Sequence, residues 1–241
     1  MQPAQYPSLK GKTAYVTGGA GGIGEAICEA FARSGTNVGI LDINETAANI
    51  VADRLAATGI RAKACGCDLR NIGELHSALD RLKGELGPAD ILVNNAAHDQ
   101  RHDWRDVTPD HWDERMAVNL RHMFFAIQAV APGMIERKSG SIINFSSISW
   151  KLKMGNMPAY TTAKAAVHGI TKSFQMELGK SNIRVNTVAP GWVMTERQKE
   201  LWFDAPAQKV IDEHQAMAGL IQPEDVANLV LFLAADDSRF C

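Results

Sequence analysis

Cysteine is scarce in this chain, and the few present follow no pattern. Cys28, Cys65, Cys67 and Cys241 match neither a disulfide framework nor the paired spacings of a zinc site. Reduced, buried thiols in a cytoplasmic protein, with no bound metal, are expected. An excess of charge is also lacking. A formal net charge of −2 and no basic stripe argue against nucleic acid and anionic membranes as partners. No apolar run approaches the ~20 residues of a membrane-spanning helix. The segment MQPAQYPSLKGK has no apolar signal-peptide core. Internal repeats, low-complexity tracts and linkers are missing too. With 46% apolar residues the chain can bury a full core, so one domain over residues 1–241 is expected.

What is present is an alternation of strand-like and helix-like segments. Residues 13–17 (TAYVT) read as a strand, followed by the glycine run Gly18 to Gly24 and a helical pattern with Ile23, Ile27, Ala30 and Phe31 on one face. A glycine turn between strand and helix lets backbone amides approach a pyrophosphate at the positive end of the helix dipole. The next strand, 37–42 (NVGILD), ends in Asp42, placed where a carboxylate can accept hydrogen bonds from a ribose. Such a carboxylate repels a 2′-phosphate, so NAD is favoured over NADP. Capping of the following helix is the bland alternative for Asp42. Strand 61–67, helix 73–86 and strand 89–93 continue the pattern. Asp68 closes the third strand, and Asn94-Asn95-Ala96-Ala97 closes the fourth. Thr108-Pro109 opens a long helix with Trp112, Met116, Leu120, Met123, Phe124 and Ile127 as its expected buried stripe. Asn119 falls on that stripe, where an amide needs partners.

Strand 141–145 precedes Ser147, and a helix from about 158 to 179 carries Tyr160 and Lys164. Their i,i+4 spacing puts phenol and ammonium on one helix face. A phenol with a pKa near ~10 needs roughly 4 kcal/mol to act as a base at neutral pH. A cation at ~4 Å in an effective dielectric of ~20 supplies about that much. Strand 183–188 ends in Pro190-Gly191-Trp192-Val193-Met194-Thr195. Residues 196–220 read as helical pieces, and 192–220 as a lid over a pocket. A last helix starts at Gln222-Pro223.

Taken in order, Thr17-Gly18-x-x-x-Gly22-Ile23-Gly24, Asn94-Asn95-Ala96, Asn119, Ser147, Tyr160-x-x-x-Lys164 and Pro190-Gly191 with Val193 and Thr195 resemble the short-chain dehydrogenase/reductase family over essentially the whole chain. The resemblance implies an α/β fold: a single Rossmann-like, doubly wound parallel sheet of order 3-2-1-4-5-6-7 with helices on both faces. The seventh strand is expected to be absent from these residues. A homotetramer or dimer is implied. So are Tyr160 as acid/base, Ser147 as holder of the substrate oxygen, and Lys164 as ribose ligand that lowers the tyrosine pKa. Asn119 would hold a relay water. NAD would lie against Gly18, Gly22, Ile23, Gly24, Asp42 and Ile43, then Asp68, Leu69, Asn95 and Ala96. Its nicotinamide end would meet Tyr160, Lys164, Pro190, Gly191, Val193 and Thr195. Ala97 departs from the glycine usual there.

Within the family, residues 6–12, Arg101-His102, 112–115, 118–123, 147–150 and Arg197-Gln198 resemble the sugar dehydrogenases. The polar run His98-Asp99-Gln100-Arg101-His102-Asp103 suits a polyhydroxylated substrate, and Trp150 offers a flat apolar face. Ser149, Trp150, Asn156, His98 and Trp192 are the candidate substrate residues. The expected reaction is oxidation of the anomeric hydroxyl of an aldopyranose, such as a D-xylose-like pentose, to the lactone. Alternatives are a dehydrogenase or reductase of another alcohol or ketone, for example a 3-oxoacyl thioester, and a catalytically silent NAD-binding regulator.

Overall fold

Segments such as TAYVT and ILVN, apolar almost throughout, need cover on both faces. In the structure, a computed structural model that describes residues 4–241, they receive it. The strands are β1 (Thr13–Thr17), β2 (Asn37–Asp42), β3 (Ala62–Gly66), β4 (Ile91–Asn94), β5 (Gly140–Phe145) and β6 (Ile183–Val188). They pair in parallel in the order β3-β2-β1-β4-β5-β6, and every residue of β1 and β4 is buried. The helices are α1 (Gly22–Arg33), α2 (Glu45–Ala56), α3 (Ile72–Leu86), α4 (Pro109–Met116), α5 (His122–Arg137), α6 (Pro158–Leu178), α7 (Glu196–Leu201), α8 (Ala205–His214) and α9 (Pro223–Ala234).

Alternation along each strand sorts the core into two layers. Val16, Ile40 and Val93 pack with Ile27 and Phe31 of α1, Val51 of α2 and Val230 of α9. Tyr15, Leu41 and Leu92 face the other way, onto Leu75 and Leu82 of α3, Ile127 of α5 and Leu178 of α6. Each such side chain contributes about 1.5–3 kcal/mol by leaving water. The cysteines are free; Cys65 and Cys67 lie in the second layer and Cys28 in the first. Among the described residues the sheet has six strands, and no seventh follows α9. Among the described residues no helix is long and apolar enough to cross a membrane.

The expected stripe on the long helix needs correction. Between α4 and α5 lies a π-helical turn, Ala117–Arg121. Its wider turn resets the phase of the side chains. Trp112 and Phe124 are consequently exposed, at 39% and 41%, while Arg115, Asn119, His122 and Met123 are buried.

β1 sits between β2 and β4, so the chain leaves the sheet in opposite directions at the carboxyl ends of β1 and β4. A crevice opens there, as it does wherever a doubly wound sheet reverses its strand order.

Candidate active site

A cleft of about 1450 Å³ occupies this position. Its floor is the glycine turn. Gly18 has φ +66°, and a Cβ there would lie 2.9 Å from Ala96 Cα. A Cβ on Gly24 would lie 1.9 Å from the Gly18 carbonyl oxygen, so any side chain would push α1 off the turn. Gly22, at φ +56°, faces the Thr195 methyl. Asn95 ties the two diverging strands together, donating through Nδ2 to the Thr17 carbonyl at 3.0 Å and to the Gly18 carbonyl at 3.1 Å. Thr17 Oγ1 accepts from the amides of Asn95 and Ala96, a role its sequence position did not announce.

Asp42 stands at the end of β2 with both carboxylate oxygens fixed: Oδ2 accepts from Ala20 N and Oδ1 from Asn44 N, each at 3.0 Å. The cap of α2 is Asn44, which accepts from Ala47 N, so capping does not account for Asp42. Asp68 is gripped through both oxygens by Arg70, which holds its carboxyl below the usual range. Ile43 is exposed and Leu69 buried beside these acids. Opposite, Met194 N donates to the Ile221 carbonyl at 2.8 Å, while buried Val193 bridges the same residue. Thr195 Oγ1 caps α7 by accepting from Gln198 N. Ile23, Pro190 and Gly191 complete the wall, and every cofactor-binding position expected from the sequence lines this one cleft. Gly21 faces open space in it, with nothing within 4 Å of a Cβ, so an extended phosphate-bearing ligand fits along the backbone.

The catalytic candidates meet at the inner end. Lys164 is 1% exposed; its Nζ donates to the Phe145 carbonyl at 2.7 Å and stands 5.7 Å from the centroid of the Tyr160 ring. Burial brings the Lys164 ammonium down to about 7, with Asp99 opposing. Burial also pushes the Tyr160 phenol up to about 12, helped by Asp99 and opposed by the Ser147 hydroxyl, Arg101 and Arg197. The expected lowering of the phenol by Lys164 is therefore not met in the free protein, because desolvation dominates at both groups. Ser147 Oγ accepts from Ser149 N at 3.1 Å.

Asn119 is fully buried, and its partners explain the placement. Oδ1 accepts from His98 N at 2.8 Å, and Nδ2 donates to the carbonyls of His98 and Arg115 at 3.2 and 3.0 Å. The amide locks the loop after β4 onto the π turn.

The substrate candidates divide. His98, Ser149 and Trp192 line the cleft. Trp150 and Asn156 do not. After Ser147 the chain turns back, with Lys151 N and Leu152 N both donating to the Ile148 carbonyl, and this carries Trp150 to the outer side of α6. There it packs edge-on to His168 at 5.3 Å in a separate depression with Thr161 and Thr162. Asn156 is an exposed turn residue at φ +60°, and its carbonyl accepts from His102 N at 2.8 Å. Other members of the polar run after β4 fill the rim, together with residues of α7. Asp99 pairs with Arg197 and accepts from Gln198 Nε2 at 2.9 Å, joining the β4 loop to α7. Burial would raise the Asp99 carboxyl, but these partners outweigh it and hold it below its usual value. Arg101 lies over the Trp202 ring at 5.1 Å.

Residues 18–241 match a family model described as enoyl-(acyl carrier protein) reductase. The chain is 46% identical to D-xylose 1-dehydrogenase of Caulobacter vibrioides over 241 residues, covering 100% of this chain and 95% of the relative. It is 44% identical to a probable galactose dehydrogenase of Rhizobium meliloti, covering 99% and 93%. Among solved structures, a 7α-hydroxysteroid dehydrogenase complexed with NADH and 7-oxo glycochenodeoxycholic acid superimposes with a TM-score of 0.93 at 34% identity, covering 100% of this chain and 94% of that one. The chain belongs to the short-chain dehydrogenase/reductase family. It is an oxidoreductase built for a nicotinamide cofactor.

Proposed function

We propose that the enzyme oxidises the anomeric hydroxyl of an aldopyranose, a D-xylose-like pentose or related sugar, to the lactone, with NAD as acceptor. The observation that carries the reading is the placement of Tyr160, Ser147 and Lys164 at the inner end of a cleft whose rim is built from His98, Asp99, Arg101 and Arg197. Polar groups of that density penalise a substrate lacking hydroxyls to pair with them. The kinship with a xylose and a galactose dehydrogenase supports the same choice.

NAD would be held by the turn from Gly18 to Gly24, by Asp42 and Asp68, by Asn95 and Ala96, and by Val193 and Thr195. When bound, it would supply the hydride acceptor. Asp42, already oriented by two backbone amides, is suited to a ribose diol and repels a 2′-phosphate. Tyr160 takes the proton of the anomeric hydroxyl as the tyrosinate, after its own proton has left, and Ser147 fixes that oxygen by a hydrogen bond. Lys164, whose ammonium burial brings down toward neutral pH, takes up the proton or holds positive charge beside the phenolate. Helices α7 and α8 act as a lid, α7 being tied down through Asp99, and exclude water. General-base help of this kind is worth ~10²–10⁴-fold. A homotetramer or dimer, inside the cytoplasm, is part of the proposal.

The test is a panel of aldoses and acyl ketones with NAD and NADP, following reduced-nicotinamide absorbance. Turnover of pyranoses with NAD supports the reading. Turnover only of acyl ketones would end the sugar assignment, and a strong preference for NADP would contradict the role of Asp42.

A further inference from the structure

Arg115 is charged, yet 4% exposed, and Glu114 is not its sole partner. Its Nη1 also donates to His98 Nδ1 at 2.8 Å. A guanidinium only donates, so Nδ1 of His98 must be a bare acceptor and the ring proton must sit on Nε2. The backbone of the same residue is held at both ends by Asn119, which accepts from its amide and donates to its carbonyl. His98 lines the cleft with Tyr160 and Ser147, and its Nε2 has no partner among the described residues and is not sealed from solvent.

We propose that His98 is a specificity-determining residue whose Nε2–H donates to an acceptor oxygen of the substrate, a ring, hydroxyl or carbonyl oxygen, and that Arg115 is the positioning residue that fixes this tautomer. The role rests on the sugar-oxidation reading for the identity of the ligand, but not for the state of the ring. A second proton on the ring would set Nδ1–H against the Arg115 donor. Arg115 and Glu114 of α4, Arg197 of α7 and neighbouring Asp99 are the charged groups that face it. Burial, Arg115 and Arg197 lower the imidazole from its ordinary value, and Asp99 and Glu114 oppose them. The Arg115 contact thus disfavours the doubly protonated ring and keeps Nε2–H as the donor, so the site selects ligands that offer a lone pair and not a cation.

Removing Arg115 does not strand its acidic neighbour, because Glu114 also accepts from Arg70 at 2.9 Å. Arg115→Met is therefore a usable variant, and Arg115→Lys restores a donor. The experiment has two arms. In the first, ¹⁵N spectra of the imidazoles in the full-length enzyme are recorded with no substrate between about pH 5 and pH 8. His98 is expected to show a bare Nδ1 and a protonated Nε2 near neutral pH in the wild type, and to take up a second proton at higher pH in Arg115→Met than in the wild type. A ring that is doubly protonated near neutrality, or protonated on Nδ1, in the wild type overturns the proposal whatever the substrate is. In the second arm, with the best alcohol from the panel, His98→Leu is expected to raise KM ~10-fold, the worth of one lost hydrogen bond, with kcat little changed. NAD affinity should be unaffected, and His98→Gln should recover part of the loss. Arg115→Met should add an acid limb to kcat/KM that Arg115→Lys suppresses. An unchanged KM in His98→Leu with a folded protein and normal NAD binding would remove the substrate contact; failure of every sugar in the panel would instead strike the functional reading and leave the tautomer result standing.

Discussion

The ammonium of Lys164 donates to the Phe145 carbonyl at 2.7 Å while it stands 5.7 Å from the centre of the Tyr160 ring. The lysine is thus moored to the end of β5, two strands from β1 and its glycine turn, and its reach toward the phenol is set by backbone and not by a flexible stem. Burial brings it down to about 7 from 10.5, and the sign of the consequence can be worked out. Between these values the unfolded chain binds a proton that the folded chain does not, so stability rises with pH in that window. Wild type should therefore gain stability relative to Lys164→Met as pH rises from about 7 toward 10, at most ~1.4 kcal/mol per pH unit. Denaturant midpoints of the two proteins at several pH values check this; parallel profiles would show that the lysine keeps its ordinary affinity for protons.

Asp42 should govern the choice of cofactor. Asp42→Ala removes the carboxylate and leaves the amides of Ala20 and Asn44 without their acceptor. The ratio of kcat/KM for NAD over NADP is expected to fall by at least ~10-fold, with a stability loss of about 1–3 kcal/mol. An unchanged ratio would place selectivity elsewhere.

Much of this was legible in the chain itself, for identifiable reasons. Strand boundaries for β1, β2 and β6 follow from apolar runs bounded by turns, and the glycine turn, Asp42, Ser147, Tyr160 and Lys164 stand at strand ends or at helical spacing. The errors share a cause in tertiary geometry. Trp150 lies three positions past Ser147, but the turn after Ser147 rotates it to the far side of α6. Trp112 and Phe124 fit an α-helical stripe that the π turn interrupts. The Asp99–Arg197 pair joins a loop to a helix nearly a hundred residues later, and no local pattern encodes such a meeting. The dense polar run from His98 to Asp103 was the one signal that pointed to it.

That pair yields a third expectation. Asp99→Ala releases Arg197 and Gln198, so α7 loses its tether over the cleft. The Arg197 side chain is 44% exposed, so the pair is worth roughly 1–2 kcal/mol, between surface and buried cases. A rise in KM for the alcohol of about 5–30-fold should follow, with a smaller effect on thermal stability. Equal KM values would mean that α7 stays in place without the pair.

His102 supports the catalytic helix from outside it. Met157 offers no side-chain cap to α6, and His102 Nε2 accepts from Ala159 N at 3.3 Å, while Nδ1 lies 3.1 Å from the Gln100 carbonyl as its donor. His102→Ala should cost about 0.5–2 kcal/mol, like the loss of other caps. Amide exchange at residues 159–161 should accelerate by more than at the carboxyl end of α6. Uniform exchange along the helix would show that the contact carries no local load.

The central claim is that Tyr160 removes the proton of a sugar hydroxyl in this cleft. Its most direct test is the rate of NAD reduction with an aldopyranose for wild type and Tyr160→Phe, with the dissociation constant for NAD measured on both. The expected result is turnover by the wild type, loss of ~10²–10⁴-fold or more in the variant, and unchanged NAD binding. Near-normal turnover by Tyr160→Phe would contradict the account.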